Sequence, residues 1–573
     1  MPRTNELVEA VLLEFADLLA IASEDPFKPR AYEKAAQAVG GYAGDLSGMD
    51  LKQILAIPSV GRSIGEKIHE FLTTGTIADL DALRAEIPAG VRDLMAIPGL
   101  GPKKALLLHR ELGITSVESL LAAIDAGSLH GLKGFGAKTE ANIRAGIARL
   151  QEAGGRVLVH VALETAERML ADLAPIPGVL RSAYAGSLRR MAETIGDVDL
   201  LVASEASAPI MDAFVAHPDV RQVLAHGATK SSVVVGSGLQ LDLRVVPPEV
   251  WGAALLYFTG SKAHNIRIRE MAVKAGLKLS EYGLFDAATG DRIAAATEEE
   301  VYARLGLPWI PPLLREDRGE VEAALAGELP TLLELADIRG DLHTHTDLTD
   351  GTAPLEDMLD AAAAKGYAYY AVTDHAPDLA MHRMTDAKMR AQRRQIDALR
   401  ARYPRMELLQ GSELNIGPDG SVDWGPEFLS SLDVGVASVH SHFTQPRDEM
   451  TARLIRAIEN PHVHIIGHPT TRLLQRRPEI EFDHEAVFRA AAANGTALEI
   501  NAYPDRLDLR DEYVLWARSL GVKFAVDTDS HATGHLDVMR YGVATAGRGW
   551  LGPDDVINAW PLDRLRAFLA KGA

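Results

Sequence analysis

The sequence predicts a multidomain chain with an all-α N-terminal region, a central α+β unit and a C-terminal α/β unit. Three observations predict it. At 573 residues the chain is too long for one hydrophobic core, and ordinary domain sizes imply about three or four. A glycine-turn pattern recurs three times before Leu150, among apolar residues at helical spacing. From Arg156 β-rich runs join the helices, and from near Ile338 strand-like runs such as Val434–Ser438 and Val463–Ile466 alternate with helical stretches, as in a barrel or a parallel sheet.

Composition narrows the chemistry. The chain is 47% apolar, yet it has no run of about 18 apolar residues free of charge. Its start, Met1-Pro-Arg-Thr-Asn-Glu6, lacks the basic-then-apolar plan of a signal peptide. A soluble cytoplasmic protein with no membrane partner is expected. The absence of cysteine excludes disulfides, thiolate nucleophiles and cysteine-bound zinc, which leaves His, Asp and Glu as metal ligands. A formal charge of −20 weighs against a polyanionic partner. That figure is a whole-chain average, however, and carboxylates inside a metal site are neutralised by the ions they hold.

The helical region opens with Leu7, Val11, Leu12, Phe15, Leu18 and Leu19 at helical spacing. Its three repeats are Ile57-Pro-Ser-Val-Gly61-Arg-Ser-Ile-Gly65-Glu-Lys67, Ile97-Pro-Gly99-Leu-Gly101-Pro-Lys103-Lys104 and Leu132-Lys-Gly134-Phe-Gly136-Ala-Lys138. Each is an apolar residue, a glycine turn and a helix start. Backbone N–H groups at such a helix start can bind a phosphate oxygen without reading a base. One copy alone could equally be a plain connector between helices. Three copies, with Lys103, Lys104 and Lys138 beside them, favour DNA, and they resemble helix-hairpin-helix motifs. Lys67, judged from its neighbours alone, is a solvated surface lysine.

In the central unit Gly186-Ser187-Leu-Arg-Arg190 precedes Gly196-Asp197-Val-Asp199-Leu200, and Leu241-Asp242-Leu-Arg244-Val245 follows. Residues two apart on a strand share a face, so Asp197 and Asp199 can present both carboxylates together while Val198 and Leu200 enter the core. Asp242 can close the site from a neighbouring strand. Two hard divalent cations roughly 3.5–4 Å apart would suit an in-line displacement on a triphosphate. Gly186 and Ser187 would admit that triphosphate, and Arg190 would neutralise it.

The last third holds an ordered set: His343, His345, Asp350, His375, Glu413, His440, His468, Asp529 and His531. Nearly every member follows an apolar run, as ligands at the C-terminal ends of barrel strands would. Nine candidates exceed the needs of one ion and suit three, with Mn, Zn or Fe matching the donors. His442, His462, His464 and His535 read as packed or surface histidines.

The first 320 or so residues resemble the family X DNA polymerases (DNA polymerase beta-like), on the palm motifs just quoted and on Tyr257-Phe258-Thr-Gly260-Ser261, Asn265, Arg269 and Leu307-Pro-Trp-Ile-Pro-Pro312. The resemblance implies a nucleotidyltransferase palm and thumb. Two Mg or Mn ions would sit on Asp197, Asp199 and Asp242, and the nucleotide on Gly186, Ser187, Arg190, Gly196, Tyr257, Phe258, Gly260 and Asn265. DNA would lie on Lys28, Gly61, Gly65, Gly99, Gly101, Lys103, Gly134, Gly136, Arg244 and Arg269. Lys67 falls on the family's Schiff-base lysine and Lys28 on a 5′-phosphate contact. Ser63, Glu33, Gln240 and Lys262 depart from the family's lysine, arginine, arginine and aspartate.

The last 235 residues or so resemble the PHP (polymerase and histidinol phosphatase) domain, with suitable side chains at all nine ligand positions. That implies a distorted (β/α)7 barrel holding up to three metals (Mn, Zn or Fe). It also implies manganese-dependent 3′–5′ exonuclease activity, with action at abasic sites. The expected units are a helical gap- and 5′-phosphate-binding domain (1–80), helix-hairpin-helix fingers (81–150), palm (151–248), thumb (249–325) and PHP domain (326–573). The expected partners are gapped or nicked double-stranded DNA and deoxynucleoside triphosphates, bound by a monomer. A histidinol-phosphatase-like reading would explain only the last third. A DNA-binding scaffold would leave two complete ligand sets idle.

Overall fold

The computed structural model describes residues 4–22, 27–40, 46–57, 59–87, 91, 94, 97, 100–129, 132, 134–136, 139–140, 143–144, 147, 155–236, 238–379 and 384–571. Gly99 and Lys138 lie outside them. No helix among the described residues is long and apolar enough to cross a membrane.

The N-terminal region is helical, with Thr4–Ala22, Phe27–Gly40, Arg62–Thr74, Ala78–Glu86, Pro102–Leu112 and Val117–Asp125 as its main helices. Gly61 and Gly101 are the N-caps of the third and fifth. One buried cluster from Val8 to Ile147 joins the two halves of this region into a common core.

The palm begins with a short ribbon of β1 (Val157–Leu158) and β3 (Thr194–Ile195). Its sheet comprises β2 (Arg181–Tyr184), β4 (Asp197–Ala203), β5 (Val220–His226), β6 (Lys230–Val235) and β7 (Gln240–Val246), in the order β2-β4-β7-β6-β5. Every neighbouring pair is antiparallel except β4 and β7. Alternation on β4 sends Val198, Leu200 and Val202 into the core with helices Val159–Leu173 and Ala208–Val215. Leu201 and Ala203 face the other way, against helix Trp251–Thr259. Asp197 and Asp199 share that second face, at its open end.

The thumb packs Trp251–Thr259, Lys262–Lys274, Glu298–Arg304 and Glu320–Ala326 on the small antiparallel sheet of β8 (Leu277–Ser280), β9 (Gly283–Asp286) and β10 (Arg292–Ala294).

The last unit is a nearly closed barrel of seven parallel strands: β11 (Gly340–Asp341), β12 (Tyr369–Val372), β13 (Glu407–Asn415), β14 (Val434–Ser438), β15 (Ile465–Ile466), β16 (Ala497–Asn501) and β17 (Phe524–Asp527). A parallel bridge between Thr344 and Ser530 joins the first strand's end to the last's. The strands are buried along almost their whole length because helices cover the outside. Tyr369, Ala371, Leu409, Val436 and Ile465 fill the interior with Trp560 and Leu565, while Tyr370, Val372 and Ala437 turn outward to the helices. Palm and barrel share apolar packing, since Leu507 and Tyr541 belong to the palm core.

Candidate functional sites

The parallel pairing of β4 with β7 sets Asp199 directly beside Asp242, with Asp197 beside Gln240. Asp197 is exposed and Asp199 half-buried. Burial, with Asp197 and Asp242 nearby, pushes the Asp199 carboxyl up to about 6. Burial would raise Asp242 too, but hydrogen bonds from Lys230, Gln240 and Ser232 hold it below its ordinary value. Lys230 Nζ lies 2.8 Å from Asp242 Oδ2, and Gln240 Nε2 donates to Oδ1 at 2.9 Å. The crowded carboxylates and the ammonium drawn in against one of them fit a site for hard divalent cations. Lys230 was not legible as a participant, because its role depends on the β6–β7 pairing.

Gly186 approaches this site closely, with φ +61°, at the start of the turn Gly186–Arg189. Arg190 follows it, its Nη1 donating to the Thr259 carbonyl at 2.5 Å and packing against Gly260. Ser187 is half-buried beside it. Gly196 lies against Arg156. Asn265 Nδ2 donates to the Tyr257 carbonyl at 2.7 Å, Tyr257 meets Phe258 edge to face, and the Arg244 guanidinium lies 4.4 Å from the Phe258 ring centre. Of these predicted nucleotide residues, Gly186 touches Asp199, and Arg190 reaches the Thr259–Gly260 turn that follows Tyr257 and Phe258. Arg269 is exposed on helix Lys262–Lys274.

In the N-terminal region Lys28 and Lys67 line one cavity of about 640 Å³ with Phe15, Tyr32, Gly61 and Ser63. Lys67 Nζ is ion-paired with Asp79. Burial would lower the Lys67 pKa, but Asp79 overcomes it and the ammonium is held above its ordinary value. A side chain added at Gly61, Gly101 or Gly136 would meet open space, so backbone there can be approached from outside. Gly65 is buried beneath Leu55, Gly134 has φ +90°, and Lys103 is exposed.

The barrel brings all nine predicted ligands to one mouth. Glu413 is central: its oxygens lie 2.9 Å from His375 Nδ1, 3.0 Å from His440 Nε2 and 3.1 Å from His468 Nε2, with His343 and His345 at 3.5 and 3.6 Å. Asp529 Oδ1 is 3.1 Å from His345 Nε2, and Asp350 Oδ2 is 3.0 and 3.2 Å from His375 and His531. Ligand atoms within 4.8 Å of one another fall into three groups: His345, Asp350, His375 and His531; His343, His345 and Asp529; His375, Glu413 and His440. Burial would raise the Glu413 carboxyl, but His440, His375 and His343 hold it well below its usual range.

His343 Nε2 and both ring nitrogens of His345 are buried beside carboxylates, with no well-aligned hydrogen bond. Such atoms are costly in a merely structural cluster. A divalent ion would satisfy them, and the mixed imidazole and carboxylate set would suit Mn, Zn or Fe.

Several supporting groups escaped the sequence reading. Glu499 accepts from His343 Nδ1 at 2.6 Å and Asn415 pairs with His440 Nδ1 at 2.8 Å, fixing which nitrogen faces the centre. Asp374 instead binds Thr346, Thr349 and Gln392. Arg506 reaches within 3.7 Å of Asp529 and, with Tyr503 and His535, lines a cavity of about 240 Å³ beside Asp350 and His531. His535, expected to be packed or exposed, accepts a bond from the His531 N–H at 3.3 Å. His464 has a packing role, its Nδ1 accepting from Gly435 N–H.

Four family models match the chain: a helix-hairpin-helix domain over residues 3–77, a SAM-like helix-hairpin-helix tandem over 91–149, a DNA polymerase beta thumb over 254–316 and a PHP domain over 341–503. DNA polymerase/3'-5' exonuclease PolX of Bacillus subtilis (strain 168) is 37% identical over 564 residues, 98% of each chain. DNA polymerase lambda of Rattus norvegicus is 29% identical over 324 residues, 51% of this chain and 53% of its own. Probable phosphatase YcdX of Escherichia coli (strain K12) is 36% identical over 244 residues, 40% of this chain and 94% of its own.

Proposed function

The chain belongs to the family X DNA polymerases that carry a PHP domain, and from that premise we propose that it fills gaps during DNA repair of the base-excision type and trims 3′ ends with the same polypeptide. One observation carries the reading. Two candidate ligand sets of different chemistry coexist in one chain, three carboxylates on adjoining palm strands and, at the barrel mouth, eight grouped side chains with His468 beside Glu413. The working units are taken as 1–80, 81–150, 151–248, 249–325 and 326–573, acting as a monomer on gapped or nicked DNA.

Bound divalent cations, two of Mg or Mn in the palm and up to three of Mn, Zn or Fe in the barrel, would supply Lewis acidity and neutralise phosphate charge. Asp197, Asp199 and Asp242 would hold the first set. Arg190 would offset the triphosphate, and the close approach at Gly186 and Ser187 would leave room for it. Tyr257, Phe258 and Asn265 would border the incoming base, with Arg244 and Arg269 on DNA. In the barrel, Glu413, Asp350, Asp529 and the imidazoles would hold the second set. Arg506 beside them would take a phosphodiester oxygen. Abasic-site cleavage would use the same mouth.

The Lys28–Lys67 cavity supports binding of a 5′-phosphate end. Lyase chemistry is a weaker reading, because an ammonium held by Asp79 is not a nucleophile.

Extension of a gapped primer should vanish in Asp197→Ala while exonuclease persists; retained extension would sink the palm assignment. Digestion should vanish in His440→Ala and Asp529→Ala with polymerisation spared. Robust digestion by either would overturn the barrel site.

A further inference from the structure

The cleft that receives Arg190 is finished by a residue 358 positions away. Arg548, the last residue of the barrel helix Met539–Arg548, is 9% exposed. Its Nη1 donates to the Arg190 carbonyl at 2.7 Å and to Glu316 Oε1 at 2.8 Å. Arg190 Nε donates to that same Glu316 oxygen at 3.0 Å. On its other side Arg548 Nη2 lies 2.8 Å from Asp511 Oδ2, which Arg318 also reaches at 3.0 Å. Palm, thumb and barrel thus meet in one chain of alternating charges.

We propose that Arg548 is a positioning residue for nucleotide binding: by sharing Glu316, the barrel leaves Arg190 with charge to spend on a triphosphate. The inference rests on the proposed role of Arg190 as a triphosphate contact. The physical reason is charge balance. Three guanidinium groups (Arg190, Arg318, Arg548) face Glu316, Asp511 and Glu512, of which only Glu512 is exposed to solvent, so the buried part of the network carries one positive charge in excess. Without Arg548, Glu316 would pair with Arg190 alone and cancel it. Arg190, Glu316 and Arg548 are largely buried, so solvent screening would repair little of the loss. Arg548 also fixes the Arg190 main chain through the carbonyl bond, and Thr259 and Gly260 confine the guanidinium from the opposite side. The polymerase pocket of this chain is therefore complete only with its barrel docked.

The experiment compares deoxynucleotide KM and kcat on gapped DNA for the full-length chain and four variants: Arg548→Met, Arg548→Lys, Glu316→Gln and the Arg548→Met/Glu316→Gln pair. Arg548→Met should raise KM about tenfold, the worth of one charge-assisted hydrogen bond, with kcat changed by less than about threefold. Arg548→Lys should recover part of the loss. Adding Glu316→Gln should suppress it, because the uncancelled carboxylate is gone. Exonuclease activity on a single-stranded primer should persist in all four, which separates this effect from unfolding of the barrel. Arg190→Met is the reference. If its KM is unchanged, both the triphosphate reading and the inference fall. If its KM rises while Arg548→Met behaves as the parent, or if the double variant keeps the full defect, the inference alone is overturned.

Discussion

A Cβ atom on Gly186 would lie 2.5 Å from Oδ2 of Asp199. The carboxylate and the glycine backbone are in direct contact, in a conformation with φ +61°. Gly186→Ala should therefore cost about 1–2 kcal/mol of backbone strain and push the Asp199 carboxylate off its position. A displacement of that kind slows a positioned reaction by about a hundredfold. Single-nucleotide incorporation should fall on that scale while exonuclease activity stays near the parent's. Incorporation within about twofold of the parent would mean that Asp199 can relax without losing its role.

Lys67 offers a test with the opposite sign. Its ammonium is stabilised by Asp79, so Asp79→Asn should lower its pKa and raise the fraction of free amine. Borohydride trapping of a 5′-deoxyribose phosphate end should then increase, by roughly tenfold for each pKa unit regained. Lys67→Ala should abolish the adduct. Equal trapping by the parent and Asp79→Asn would show that the pair does not control the amine.

Features written in adjacent residues were legible in the sequence, and features made by the fold were not. Val434–Ser438 forms the strand its apolar run implied, and the period of two at Asp197 and Asp199 placed both on one face. The run Val463–Ile466 yields only Ile465–Ile466 as strand, because Val463 still belongs to the turn closed by its N–H on the Asn460 carbonyl. The nine predicted barrel ligands could be read because they lie at or just beyond the ends of six strands, β11 to β15 and β17. Lys230, Glu499, Arg506 and Arg548 could not, since each acts through a partner fixed by strand pairing or domain contact. An ion pair 232 residues apart, such as Arg548 with Glu316, leaves no local period to detect.

Asp350 is the one carboxylate in the group formed with His345, His375 and His531. Asp350→Ala should lower the bound metal by about one ion per chain relative to the parent, measured by mass spectrometry after dialysis. Primer digestion should fall with it, and gapped-primer extension should not. An unchanged metal content would show that the three imidazoles suffice, or that this group holds none.

Glu298 gives a pH-dependent prediction for the palm–thumb junction. It is 5% exposed and accepts from Arg189 at 2.7 and 2.9 Å, from Arg315 at 2.7 and 3.2 Å and from Trp309 Nε1 at 3.0 Å. Arg315 is fully buried. Burial would raise the Glu298 carboxyl, but the Arg189 bond and the Arg315 charge carry it down from 4.5 to about 2. A depressed carboxyl contributes stability that is complete above its unfolded pKa and fades as pH falls through the folded one. Glu298→Gln should leave Arg315 buried without its counter-charge and cost about 3–5 kcal/mol near neutral pH, read as a lower unfolding midpoint. The gap between parent and variant should then close progressively from about pH 4.5 towards about pH 2, because the parent protonates the same group that the variant lacks. A gap constant over that window would mean that shape and hydrogen bonding at Glu298, and not its charge, hold the thumb to the palm.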